Sequence, residues 1–428
     1  MEHCLLHIRK TLSSGKNVLF LTPEIGLGNQ LFRQFKESLP RSVYLLHSRL
    51  TPAQRVKLIQ TVAEQKEAVL VVGMRSALLL LDLHKFGLII VDDEHDFSYK
   101  QVDPAPRFHA RDVALFAGKH YHIPVILNSS CPSLESEYNA RMGKYHTISG
   151  EGAEQPQVYD AKSITPELVS RDSSYSYLSI EFIDTLRCKK KKQMIGNFST
   201  LLLQAFEQAI AHHREALLFS HRSAHLEEEL HSLLPALRCV HSDEATWKNI
   251  GVIALFDPDR QLSRSDFRAH ERTYQWLMTL LGKMQTIPFH DNVAPRIILQ
   301  TEQPEHPLYC HLQSGNHDEF VLAQLRERKE FQYPPFVRLI ALRFKHPHIE
   351  NAQQTAQRFK EELSETGITS ITGPFAPYQP VDAKWHTQLL WLRLSRDQDN
   401  NALKKRLYQQ VSACKFSRGS IQIDVDPF

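Results

Sequence analysis

Leu88-Ile89-Ile90-Val91-Asp92-Asp93-Glu94-His95-Asp96 reads as a strand that ends on a cluster of acids. Four consecutive apolar residues suit a strand covered on both faces, as in a parallel sheet packed between helices. The carboxylates then fall at the strand's C-terminal end, where open α/β sheets place their ligands. In nucleotide hydrolases the first Asp at such a point holds Mg²⁺ and the next acid polarises the attacking water. Turns after strands are often acidic without any chemistry, so the surrounding sequence has to decide.

Working outward, short apolar runs alternate with helical spacing over the first 150 residues. Val18 to Thr22, Ser42 to Leu46, Ala68 to Val72 and Pro124 to Leu127 read as further strands. Asn29 to Ser38 and Pro52 to Gln65 read as helices between them. This alternation predicts a doubly wound parallel sheet. From Gly150 to Gln193 the pattern dissolves into polar, Ser-rich sequence, closing on Lys189 to Lys192, which reads as a connector with a solvated charge run. A second α/β pattern follows: a helix from Phe198 to His213, a strand at Ala216 to Ser220, a helix from Ala224 to Leu234 and a strand at Gly251 to Phe256. A third begins after Thr301, with a helix through Glu319 to Arg328 and strands at Leu339 to Phe344 and Gln388 to Leu394.

Composition narrows the class. The chain has 428 residues, 42% hydrophobic and 23% charged, which is ordinary for a folded protein of two or three domains. Apolar runs such as Ala77 to Leu81 fall far short of a membrane span, and Met1 to Lys10 has no extended apolar stretch, so a cytoplasmic protein is expected. The net charge of +3 is too mild to imply nucleic acid by itself. The six cysteines (Cys4, Cys131, Cys188, Cys239, Cys310 and Cys414) are scattered singly, so no zinc site is expected.

Several motifs occur in order along the chain: Thr22-Pro-Glu-Ile-Gly-Leu27, Gly73-Met-Arg-Ser-Ala77, the acid cluster running on to Gln101, Pro106-Arg-Phe-His-Ala-Arg-Asp112 and Cys131-Pro-Ser-Leu-Glu-Ser136. Then come Leu262 to Gln275, Ile298 to Thr301, Tyr333-Pro-Pro-Phe336 and Gln422 to Pro427. Together they resemble the PriA family of primosomal DNA helicases, of helicase superfamily two, over nearly the whole chain. The resemblance implies two RecA-like lobes (residues 1–150 and a reduced lobe at 198–302) joined by a linker at 151–197. A small α+β DNA-binding domain at 303–428 completes the α/β architecture. It implies ATP with Mg²⁺ at Asp92 as the family's cofactor, Asp92, Asp93, Glu94 and His95 as a degenerate DExH box, and primosome proteins as partners. Arg75 and the loop residues Phe97, Tyr99, Lys100, Arg107 and Phe108 are then candidate contacts to forked or single-stranded DNA. Interleaved rings and cations suit that task, because bases stack on rings while cations meet phosphates.

The chain also departs from the family pattern. The family's phosphate loop, GxxxxGK[ST], would lie just upstream of Glu2, and Ser14-Gly15-Lys16 is followed by Asn17 instead of a hydroxyl residue. Asp93 stands where the family has a longer acid, and the family's GSATPS reads Asn128-Ser-Ser-Cys-Pro-Ser133. A zinc-binding insertion is missing between Arg222 and Ser223, and a further segment between Asp243 and Asn249. The family's QVAGRAGR reads Thr279-Leu-Leu-Gly-Lys-Met-Gln-Thr286, with Lys283 its only cation. The expectation is a DNA-binding primosomal protein whose ATP hydrolysis and helicase activity are lost. The alternatives are an active helicase whose amino-terminal part precedes this sequence, or a decaying product without activity.

Overall fold

The acid-tipped strand lies in the middle of its sheet, as its unbroken apolar run demands. The computed structural model describes residues 2–39, 41–149, 167–170, 180–220, 223–240, 249–256, 258–264, 266–285, 295–365, 370–377, 384–396 and 400–427. The first lobe contains α1 (Glu2–Ser13), β1 (Asn17–Leu21), α2 (Ile25–Ser38), β2 (Val43–Leu46), α3 (Pro52–Glu64), β3 (Leu70–Gly73), α4 (Ala77–Leu80) and β4 (Phe86–Asp92). It continues with α5 (Ala110–Tyr121), β5 (Val125–Ser129), α6 (Leu134–Arg141), β6 (His146–Ser149) and β7 (Glu167–Ser170). Seven parallel strands run in the order β2-β3-β1-β4-β5-β7-β6.

Alternation along each strand divides the core in two. Val18, Phe20, Leu88 and Ile90 pack with Ile8, Leu31 and Phe35 of α1 and α2. Leu19, Leu21, Ile89 and Val91 pack with Ala110, Ala114 and Ala117 of α5 on the opposite face. Burying each Leu, Ile or Val contributes about 1.5–3 kcal/mol. Both faces of β4 are thus dry, and its polar residues are confined to its end.

The second lobe contains β8 (Ile180–Asp184), α7 (Thr185–Lys190), β9 (Met194–Ile195), β10 (Phe198–Ser199), α8 (Thr200–Ala211), β11 (Glu215–Phe219), α9 (Ser223–Leu233) and β12 (Cys239–Val240). After these come β13 (Ile250–Leu255), α10 (Pro258–Leu262), α11 (Ala269–Gln285) and β14 (Arg296–Thr301). Its parallel sheet has the order β12-β11-β13-β14-β8. The stretch 151–197 is therefore more than a connector: β7 joins the first sheet and β8 the second. Ile180-Glu-Phe-Ile-Asp184 breaks its apolar residues with acids, which hides a strand that reads as polar sequence. The junctions at Arg222 and at 243–248 lie outside the described residues.

The last segment opens with α12 (Pro307–Ser314) and α13 (His317–Glu330). Then β15 (Val337–His346), α14 (Ile349–Ser364), β16 (Ile371–Phe375), β17 (His386–Ser395), α15 (Asn401–Ala413) and β18 (Ser420–Val425) form a βαββαβ unit. Its antiparallel sheet has the order β16-β17-β15-β18, with α14 and α15 packed on the face that carries Ile340, Leu342, Phe344, Leu390 and Leu392. The molecule is thus α/β, with two RecA-like lobes and a small α+β unit. α13 packs into the second lobe's core beside α11, where Phe320 and Leu325 meet Tyr274 and Leu277.

Candidate functional site in the cleft between the lobes

Register brings the acid cluster against the next strand. Asp92 and Asn128 are direct partners on parallel β4 and β5, and the Asn128 amide donates to Asp92 Oδ1. Asp93 follows with φ of +47°, a left-handed turn that Asp tolerates better than most residues, and its side chain lines the cleft. Glu94 turns the other way and is fully buried. It accepts from Arg111 Nη1 (3.0 Å), Ser133 N (2.7 Å) and Ser133 Oγ (3.1 Å), so both its oxygens are engaged. His95 reaches both lobes, with Nδ1 2.6 Å from Ser129 Oγ and Nε2 3.5 Å from Thr279 Oγ1 of α11.

The loop after this cluster holds most of the candidate DNA contacts, and the structure divides them. Tyr99 is fully buried, its hydroxyl donating to the carbonyls of Leu21 (3.0 Å) and Asp92 (2.6 Å). Burial, together with the charge of Asp92, raises its pKa well above the usual phenol value. Lys100 is buried too, paired with Asp424 at 2.8 Å and donating to the Val425 carbonyl at 2.6 Å. These two residues face inward and are corrected from DNA contacts to structural anchors. Arg75, half-buried, donates to the Ser98 carbonyl at 2.7 Å and so shapes the same loop. Phe108 packs against the lobe's core, and its edge lines the cleft. Arg107 pairs with exposed Asp103 at 3.2 Å and lines the cleft, while Phe97 remains 49% exposed at its rim.

Across the cleft, α11 presents Arg272, Gln275 and Thr279. The Arg272 guanidinium lies 5.1 Å from the centre of the Phe97 ring, and its Nη1 pairs with Asp266 at 2.9 Å. Gln275 donates to the Pro132 carbonyl at 3.3 Å. The cavity enclosed by both lobes and the C-terminal unit measures about 1880 Å³. Arg338, Arg396 and Asp426 line its far wall, and Phe116 of α5, 70% exposed, stands at its edge. Arg272 lies within the Leu262 to Gln275 motif, which gave it no role of its own, and Phe116 escaped the sequence reading because an isolated helix residue carries no motif. Asn128 was visible only as an altered residue, and its pairing with Asp92 needed the register.

The side chains around Asp92 fit a hydrolytic Mg²⁺–nucleotide centre poorly. Asp92 is bonded to an amide, Glu94 is saturated by Arg111 and Ser133, and the α11 residues facing the box, Thr279 and Gly282, are uncharged. The side chain of Lys283 lies outside the described residues. His109, which caps α5 by accepting the Arg111 amide at Nδ1 (3.3 Å), is pushed down to about 3 by burial and by the Arg111 charge. The cleft is therefore lined by fixed dipoles and paired charges, a surface suited to holding a ligand.

Two family models match the chain: DEAD/DEAH box helicase over residues 2–137 and primosomal protein N C-terminal domain over residues 329–428. Proteins named replication restart protein PriA are similar along its length. The one from Bacillus subtilis is 25% identical over all of this chain and 62% of its own length. That from Haemophilus influenzae is 28% identical over all of this chain and 68% of its own. That from Chlamydia muridarum is 33% identical over 98% of this chain and 66% of its own. The chain thus spans roughly two thirds of these relatives. The Bacillus alignment runs over 509 positions for 428 residues, so that relative also carries internal segments without a counterpart here. Among the described residues no helix is long and apolar enough to cross a membrane.

Proposed function

The chain is a PriA-like protein, and from that premise we propose that it serves DNA replication restart by holding DNA, with ATP hydrolysis and strand separation lost. The observation that carries this reading is the contrast within one cleft. Its rim keeps Phe97 beneath Arg272, with Arg107 and Phe116 nearby, while the acid box at its floor is bonded to Asn128, Arg111 and Ser133. Rings that accept bases and cations that meet phosphates bind single strands without needing hydrolysis. The C-terminal unit, which we read as part of the same DNA-binding surface, adds Arg338 and Arg396 to the cleft wall.

The chemistry of the positions that remain supports the loss of hydrolysis. A nucleophilic water needs an acid free to polarise it, and Asp93 is one methylene shorter than the Glu of the family pattern. Misplacement by about 1 Å can cost roughly a hundredfold in rate. On the α11 side, an arginine finger is worth about 10³–10⁵ in related chemistry; Thr279 and Gly282 carry no charge, and Arg272 of the same helix is paired with Asp266 and set over Phe97.

Fluorescence anisotropy with a labelled thymidine oligonucleotide and a forked duplex tests the proposal. Binding at low salt that weakens as salt is raised supports it, and Phe97→Ala with Arg272→Ala should lower affinity about tenfold or more, since each stacked base is worth about 1–3 kcal/mol. No binding to either probe at low salt would overturn it. DNA-stimulated ATP turnover abolished by Asp92→Asn would overturn the loss of hydrolysis.

A further inference from the structure

Four buried ionic side chains meet where α6 of the first lobe, α11 of the second and α13 of the last segment converge. Glu135 accepts both ends of the Arg268 guanidinium (2.7 and 3.1 Å) and Arg328 Nη1 (3.1 Å). Glu271 accepts from Arg268 Nη1 (3.2 Å), from Arg328 Nη2 (2.6 Å) and from the backbone amide of Leu134 (2.8 Å). Each glutamate therefore takes both arginines, and all four groups are at most one-tenth exposed. Two negative and two positive charges cancel, so the cluster can be buried without a net charge to desolvate. Burial pushes the Glu135 carboxyl up, but Arg268 and Arg328 outweigh it and hold it well below the usual carboxylate range.

We propose that this quartet is a latch that fixes the first lobe against the second lobe and its α13 in one arrangement, so that the width of the cleft is set by the protein and not by a ligand. The quartet has Glu135 on α6, Glu271 on α11 with Arg268 in the turn just before it, and Arg328 on α13, so no relative movement of the three can spare it. Sliding α11 from α6 takes Arg268 from Glu135 and opens the Leu134 amide; withdrawing α13 leaves two carboxylates facing one guanidinium. An unpaired buried charge is costly, which makes intermediate positions unfavourable and the paired one sharply defined. Apolar contacts run parallel to the ions: Cys131 and Leu134 of the first lobe share a core with Tyr274 and Leu277 of α11 and Val321 of α13. Glu94 extends the link to the acid box, since it accepts from Ser133 N next to the Leu134 amide that Glu271 holds.

The latch can be read as a distance, independently of DNA binding. Fluorophores carried by non-natural residues at Val56 in the first lobe and Leu201 in the second, both 54% exposed, report the separation by single-molecule energy transfer. The full chain should show a single narrow population, unchanged by a thymidine oligonucleotide or by ATP with Mg²⁺. Glu271→Gln and Arg328→Met should broaden it or add a second population. Several populations in the unmodified chain, or a shift on adding either probe, would overturn the latch even if neither variant folded. So would a narrow population retained in both variants. Arg328→Lys, which keeps the charge but cannot bridge both glutamates in the same way, should broaden the population as well, and an unchanged width there argues against the proposal.

Discussion

At Lys100 the meaning of a positive charge depends on what encloses it. In the sequence it lies between aromatics in a loop suited to DNA, yet the fold wraps it with Asp424 and the Val425 carbonyl from the far end of the chain. Breaking a buried ion pair on one side takes from the other charge its best partner, here leaving Asp424 with the longer contact to Arg343 at 3.5 Å. Lys100→Met should therefore destabilise the protein by about 3–5 kcal/mol in urea unfolding, and Lys100→Met with Asp424→Leu should recover much of that loss. His109 makes the complementary case for pH. Its folded pKa of about 3 lies below the ordinary imidazole value of 6.5, so between those values the unfolded chain takes up a proton that the folded chain refuses. His109 should make stability rise with pH through that window, contributing at most about 1.4 kcal/mol per unit, with His7, pushed down to about 4 by burial, adding a slope of the same sign. Urea midpoints measured from pH 4 to pH 8 check this, and His109→Asn, which can still cap α5, should flatten the slope.

The helices flanking the acid box show how closely elements are pressed together. Gly118 of α5 lies so near β5 that a Cβ there would come 2.4 Å from Val125 Cγ2 and 2.8 Å from the Ile123 carbonyl oxygen. Alanine is worth about 1 kcal/mol over glycine within a helix. Overpacking against backbone costs about 1–3 kcal/mol, so Gly118→Ala should lower stability despite the gain in propensity. At α6, Ser133 caps the helix by accepting the Ser136 amide and also donates to Glu94. Ser133→Ala should cost at least the ~0.5–2 kcal/mol of a lost cap, because Glu94 and Arg111 lose a partner at the same time. Denaturant unfolding of each variant reads both effects. At this scale β1 to β5 of the first sheet were legible, since four- and five-residue apolar runs have few other homes, whereas β6 and β7 at its edge were not. β8 was not legible either, because its acids interrupt the apolar run and only Ile183 of it is buried.

For the whole molecule, ligand linkage separates a DNA holder from a motor. A ligand present at a hundred times its Kd stabilises the native state by about 2.7 kcal/mol, which a melting experiment detects readily. A thymidine oligonucleotide should raise Tm, while ATP with Mg²⁺ should leave it unchanged. A rise with ATP alone would show that the acid box still binds nucleotide.

By itself the sequence determined the class of fold, the order of the units and the place of the acid cluster at a strand end. These follow from local periodicity and from motifs that short segments carry alone. The tertiary structure decided what the charges do: it placed Tyr99 and Lys100 inside, seated Arg272 over Phe97, and gathered Glu135, Arg268, Glu271 and Arg328 at one junction. The reason is physical: a strand's apolar run is written in neighbouring residues. Whether a charge meets water, a nucleic acid or a buried partner depends on segments hundreds of positions away.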